Sequence, residues 1–374
     1  MLAARCQRIG RRFSRILAVA HVETLHLLHD RTTISLILLV PAIQIVLFGY
    51  AVNLDPRHVP IVIARDHNGP NDRLDGVIEK TGYFIVLADG LKSGAAERMV
   101  SQGKALVGIE LTGRDASAND ALFEDAKVIV DATDPAAVRP ALAALENAYW
   151  RQTAQLYAIG PLPSVKVEWL YNPQRRTAWT IVPGLAGVVV MISMLMLGAL
   201  TLVRERERGS WETLLATPVD AVDALAGKLS PYVVIGTLQA ASVIWIARLL
   251  FGLPAIGDLF ALLAAAPLYS AAHLILGFAL SALAENQLQA IQGAVFFYLP
   301  SMLLSGFMFP FQGMPAWARA IGETLPLTHF VRAARGVLIK GEGASLVVSE
   351  MLPVALFALV ATTIALAAYR RRID

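Results

Sequence analysis

Six stretches of the chain carry roughly twenty mainly apolar residues each, the length at which an α-helix crosses the hydrocarbon core of a bilayer. They cover residues 32–52, 177–203, 229–251, 259–283, 288–309 and 346–369. Pro41, Pro183, Pro267, Pro300 and Pro353 fall inside these stretches, a placement that neighbouring helices accommodate in a membrane bundle. The pattern changes between the first stretch and the second. Short β-branched runs there, VPIVIA from Val59, YFIVLA from Tyr83, LVGIEL from Leu106 and KVIVD from Lys127, alternate with helical segments, which predicts an α/β domain over residues 53–176. Thr133, Asp134 and Pro135 supply a cap and a first-turn proline for a helix reaching about Tyr157. Ahead of the first span, Phe13, Ile16, Leu17, Ala20, Thr24, Leu27 and Leu28 recur at helical spacing beside Arg11, Arg12 and Arg15, so residues 1–31 are expected to lie as an amphipathic helix in the membrane interface. The first span is expected to be a true membrane helix and not the core of a signal peptide, the rival reading that the arginines before it suggest, because it lies too far in and lacks a small-residue cleavage site.

Composition turns this pattern into a fold class. The chain has 374 residues, 56% apolar and only 16% charged, with a mean hydropathy of +0.56, values that belong to membrane proteins. Nearly half of the charged residues fall in the third of the chain between residues 51 and 177, as a water-facing insert requires. The expectation is an α-helical polytopic membrane protein with six spans and an inserted extracytoplasmic α/β domain. Basic residues before the first span, in 204–228 and in the tail 370–374 place both termini in the cytoplasm by the positive-inside rule. The segment 310–345 breaks that rule with Arg319, Arg332, Arg335 and Lys340. A single cysteine, Cys6, allows no internal disulfide, and a net charge of +3 is too small to argue for nucleic acid. His21, His26 and His29 have neither the spacing nor the carboxylates of a metal site, and no metal is expected on this chain. The insert shows no phosphate loop, histidine pair or nucleophile motif, so no catalytic residue is expected either.

The stretch VRERERGSWETLLATPV, residues 203–219, stands directly against the second span. Arg204, Arg206 and Arg208 satisfy the positive-inside rule as a stop-transfer flank, but the residues after them need another reason. Gly209 interrupts the helix, Ser210 is a good N-cap, Glu212 lies in the first turn where a carboxylate suits the helix dipole, and Pro218 ends the element. A short capped helix with Trp211, Leu214 and Leu215 on one face needs a partner surface, which could be lipid or protein.

These residues carry a resemblance. ERERGSWETLLATP is similar to the coupling-helix signature of ATP-binding-cassette (ABC) type 2 export permeases, and Leu299 to Gly341 resembles that family's fifth span and the extracellular helical hairpin after it. The order of one span, a large insert and five further spans resembles most closely the drug-exporter subgroup with a large periplasmic domain. The family's Arg-Asp-Pro turn after the interfacial helix is replaced here by HDRTTI. The resemblance implies a permease in a bacterial inner membrane, powered by a cytosolic ABC ATPase dimer that holds the ATP and Mg, with no cofactor on this chain. Further implied partners are membrane lipids, a second permease copy, identical or paralogous, and a periplasmic adaptor. Coupling to the ATPase then falls to Glu205, Glu207, Gly209, Ser210, Glu212, Leu215, Thr217 and Pro218, and 310–345 becomes a re-entrant hairpin whose arginines pair with Glu323 or sit at the outer rim.

The sequence contains no GxxxxGK[ST] loop, AGKLS at Ala226 being its nearest approach, so these residues do not themselves cradle ATP phosphates. An ion-coupled transporter would need intramembrane ionisable groups, for which only Glu285 and His273 are candidates; a membrane-anchored receptor would not need five spans after its sensor. The spans are lined mainly by Ala, Leu, Val and Met with sparse glutamines, which suits a hydrophobic or amphiphilic cargo, drug-like or lipid-like, over the alternative of a lipid-linked glycan or other envelope component. Gly184, Gly187, Gln289 and Gln292 are candidates for a seam between two copies or for the cargo path; packing within one chain is the competing explanation.

Overall fold

The computed structural model describes residues 2–29, 31–51, 58–65, 78, 81–111, 126–131, 135–156, 171, 172, 174, 176–207, 209 and 221–373. They form two units, residues 53–170 and the remainder of the chain.

The smaller unit is an α/β layer. Strands β1 (Val59–Arg65), β2 (Phe84–Leu91), β3 (Val107–Leu111) and β4 (Ala126–Val130) lie in the order β2-β1-β3-β4. β1 pairs in parallel with β2 and β3, and β4 runs antiparallel to β3. Because side chains alternate along a strand, β1 feeds two cores. Ile61 and Ile63 meet Val138, Ala141 and Leu145 of helix α4 (Pro135–Leu156) on one face. Val62 and Ala64 meet Ala96 and Val100 of helix α3 (Ala95–Ser101) on the other. A strand covered on both faces reads as an unbroken apolar run, which accounts for VPIVIA.

The larger unit is all-helical. It begins with α1 (Leu2–His29) and α2 (Arg31–Val46), the latter ending in a π-helical turn at Leu47–Ala51. After the insert come α5 (Thr177–Glu207), α6 (Ala221–Phe251), α7 (Leu259–Leu283) and α8 (Gln287–Leu304). The short α9 (Ala316–Gly322) and α10 (Pro326–Arg335) come next, and α11 (Ala344–Ile373) closes the chain. Among the described residues four helices are long and apolar enough to cross a membrane: Thr177–Glu207, Leu225–Phe251, Leu259–Leu283 and Ala344–Tyr369. The chain is thus a helical membrane protein. The expected span 288–309 differs. Its helix stops at Leu304, with the chain turning at Gly306 (φ 80°), and Gln287, Gln289 and Gln292 in its first turns make it less apolar than the four. The expected loop 204–228 is also shortened from both sides, because α5 runs on to Glu207 and α6 starts at Ala221.

Helix α5 is the axis of this unit. Most of it is buried, and it packs on α6, α7, α8 and α10. At its crossing with α7 a Cβ on Gly198 would come within 2.2 Å of the Leu274 carbonyl oxygen, and one on Gly277 within 2.3 Å of the Leu195 oxygen. Backbone lies on backbone there, as small residues permit. Nearer the start of α5, Tyr269 of α7 donates to the Gly187 carbonyl at 2.9 Å and stacks on Phe330 of α10, centroids 4.3 Å apart. The first six residues of helix α10 are buried. Arg332 on its exposed side binds both oxygens of Glu323, at 2.9 and 2.5 Å, and its guanidinium lies over Phe311. That ion pair answers part of the charge anomaly of 310–345.

Candidate functional site

The charged end of α5 is where the sequence concentrates its candidates. Consecutive residues on an α-helix point about 100° apart, so three in a row address three different neighbours. Glu205 forms an ion pair with Lys228 of α6, whose side chain is only 7% exposed. Arg206 donates from Nη2 to the carbonyl oxygens of Ser281 (2.9 Å) and Ala284 (2.7 Å) at the C-terminal end of α7. Glu207 accepts the backbone N–H of Gln287 at 3.0 Å and bonds its side-chain amide as well, at the start of α8. The signs match the helix ends, since a cation suits the C-terminus of α7 and an anion the N-terminus of α8. Ser281 adds a further tie. Its Oγ accepts the N–H groups of Leu202 and Val203, each at 3.1 Å.

Gly209 comes next with φ 73°, a left-handed conformation that glycine adopts without strain, and its N–H donates to the Arg206 carbonyl. Ser210, Glu212, Leu215, Thr217 and Pro218 of the expected coupling helix lie outside the described residues. On the far side of that segment the start of α6 is anchored to α1. Buried Asp223 lies 3.9 Å from Arg12, and Tyr232 donates to Glu23 at 2.7 Å. Gly227 brings α6 against α1, where a Cβ would meet Val19 at 2.7 Å.

Several expectations change. Glu205 and Glu207 are expected to couple to the ATPase; in the structure each also has a partner within the chain, Lys228 and Gln287 respectively. Gly184 and Gly187 do not line an outer seam. Both are buried, and a Cβ there would strike Phe307 at 2.6 Å and Phe330 at 2.8 Å respectively, so they serve packing inside the chain. Gln289 and Gln292 are exposed on α8. Gln289 turns back to accept the Glu285 N–H at 2.7 Å, whereas Gln292 shares an outward face with Leu288, Phe296 and Leu299. Glu285 is an exposed turn residue, and His273 is fully buried with Nδ1 against the Tyr269 carbonyl at 3.0 Å. The sequence reading missed Arg206, Ser281 and Gln287 as partners and the Gly198–Gly277 crossing. Alternating charge beside a polar turn at 284–287 was the available signal.

Comparison with known proteins sets this geometry in a family. The profile described as "ABC-2 family transporter protein" matches residues 31–367. "Probable multidrug ABC transporter permease YbhR" of Escherichia coli (strain K12) is 26% identical over 370 residues, covering 96% of this chain and 100% of the relative. "Probable multidrug ABC transporter permease YbhS" of the same organism is 26% identical over 336 residues, 87% of this chain and 89% of the relative. "Inner membrane transport permease YhhJ", also of that organism, is 28% identical over 216 residues, 57% of each chain. With a match that runs through every helix from α2 to α11, the chain belongs to the ABC-2 transporter family.

Proposed function

We propose that this chain is the permease subunit of an ABC exporter, driven by a separate cytosolic ATPase and moving a hydrophobic or amphiphilic cargo outward. The observation that carries the reading is family membership over residues 31–367, in a sequence that has no phosphate-binding loop of its own. The names of the relatives, multidrug permeases among them, favour a drug-like cargo over a glycan. In this reading α2 and α8 complete six spans, both termini face the cytoplasm of a bacterial inner membrane, and residues 53–170 stand outside. Residues 208–220 form the coupling segment that the ATPase grips, with Ser210, Glu212, Leu215, Thr217 and Pro218 in contact. The hairpin of α9 and α10 sits in the outer leaflet, its polar rim closed by Arg332 and Glu323. A second copy, identical or paralogous, completes the pathway, and the outward face of α8 with Gln292 is the part of this chain offered to it. Closure of the ATPases on ATP drives transport through their unequal affinity for the two permease states.

The test is co-expression with ABC ATPases from the same organism. The permease should co-purify with one such ATPase, and in proteoliposomes the complex should hydrolyse ATP and move a hydrophobic fluorescent dye. A permease that recruits no ATPase and moves dye without ATP would overturn the reading.

A further inference from the structure

We infer that Glu205, Arg206 and Glu207 act as a three-way clamp: positioning residues that fasten the end of α5 to α6, α7 and α8, so that a pull on residues 208–220 displaces the ends of all four helices as one body. The inference rests on the permease reading for the source of that pull, but the clamp itself stands on contacts within the chain.

A stop-transfer flank requires only arginine, and it leaves the alternation with glutamate without a purpose. The geometry supplies one. The three side chains project from a single turn of α5 and each meets a different helix through the group of opposite sign: Glu205 the Lys228 ammonium, Arg206 the terminal carbonyls of α7, Glu207 the first N–H of α8. The Glu205 and Arg206 contacts are sheltered, and the exposed Glu207 is held by two bonds to Gln287. Lys228 is 7% exposed and Glu205 23%, and a helix end offers unsatisfied backbone groups that hold a charge in one place. The Ser281 hydroxyl, bonded to the Leu202 and Val203 N–H groups, fixes α5 to α7 one turn further in. The clamp lies immediately before Gly209, whose exposed left-handed turn separates it from the segment beyond.

A structural prop and a clamp differ in what their loss does. Loss of a prop lowers the amount of folded protein, and hydrolysis and transport fall together. Loss of a clamp lets the ATPase turn over while α5 moves without its neighbours, so dye moved per ATP hydrolysed falls. Two experiments on the full permease–ATPase complex in proteoliposomes read that ratio. In the first, Glu205→Lys and Lys228→Glu, singly, should each lower it roughly tenfold, within the usual range of coupling between sites, and the double exchange should restore it. If Glu205 instead contacts the ATPase, the double exchange stays as defective as Glu205→Lys, and the clamp is refuted. In the second, with Cys6→Ser, the pair Glu207→Cys and Gln287→Cys is compared before and after a short thiol crosslink. Without the link the clamp is open and the ratio is low; with the link it should recover. Arrest on crosslinking, or an unlinked pair as efficient as wild type, would show that α5 and α8 move separately. The wild-type complex in the same preparations reads the permease assignment, so failure there is distinct from failure of the clamp.

Discussion

Single glycines in this chain carry different burdens, and their surroundings show which. At Gly198 an added methyl meets backbone atoms of α7 at 2.2 and 3.0 Å, which no rotamer change relieves. Gly198→Ala should destabilise the protein by about 1–3 kcal/mol, seen as a lower melting temperature in detergent and less folded protein. At Gly293, where the nearest atoms are the ends of Leu280 at 3.6 and 3.9 Å, the same change should be neutral or stabilising by up to about 1 kcal/mol, the helix-propensity difference between the two residues. A pH dependence also belongs to this scale. The hydrogen bonds from Arg332 hold the Glu323 carboxyl below the usual carboxylate range. A depressed folded-state pKa gives stability that is fully present above the unfolded value, about 4.3 for Glu, and is lost as pH falls through the folded one. Between about pH 6 and about pH 3 the wild type should therefore lose more melting temperature than Glu323→Gln does; the half-exposed pair limits that excess to under about 1 kcal/mol.

Among the elements, α8 has the start that is simplest to test. Asn286 caps it, accepting the Gln289 N–H at 2.9 Å, and Asn286→Ala should cost about 1 kcal/mol, measurable as earlier proteolysis at the 284–287 turn. The positions of α5, α7 and α11 were legible because a long apolar run has one interpretation in a bilayer, and β1 was legible because strand period and length agree. The ends of elements were harder. Asp223 and Lys228 read as loop residues in the sequence since charge normally ends a span. They lie inside α6 because Arg12 and Glu205 meet them, and a partner more than twenty residues away leaves no local trace. Glu205 and Glu207 show the same limit: the sequence presents them as an acidic surface, and only the fold brings Lys228 of α6 and Gln287 of α8 to them. The role of Gly184 and Gly187 was settled by Phe307 and Phe330, more than a hundred residues on.

For the whole molecule, the test that matters is which side each unit faces. With Cys6→Ser, Ser93→Cys in the exposed turn before α3 should react with a membrane-impermeant thiol reagent on intact cells, while native Cys6 in the unaltered protein should react only after lysis. Reaction in the opposite order would invert the proposed topology and place the clamp away from any cytosolic ATPase. The crossing of α5 and α7 has a consequence of another kind, in the history open to this sequence. Gly198 and Gly277 each press on the other helix's backbone, so neither can be replaced first and compensated later by trimming a side chain; the whole crossing would have to separate. Substitution should therefore be nearly closed at this pair and open at Gly293, a contrast that random mutagenesis under selection for export would record as two silent columns and one variable one.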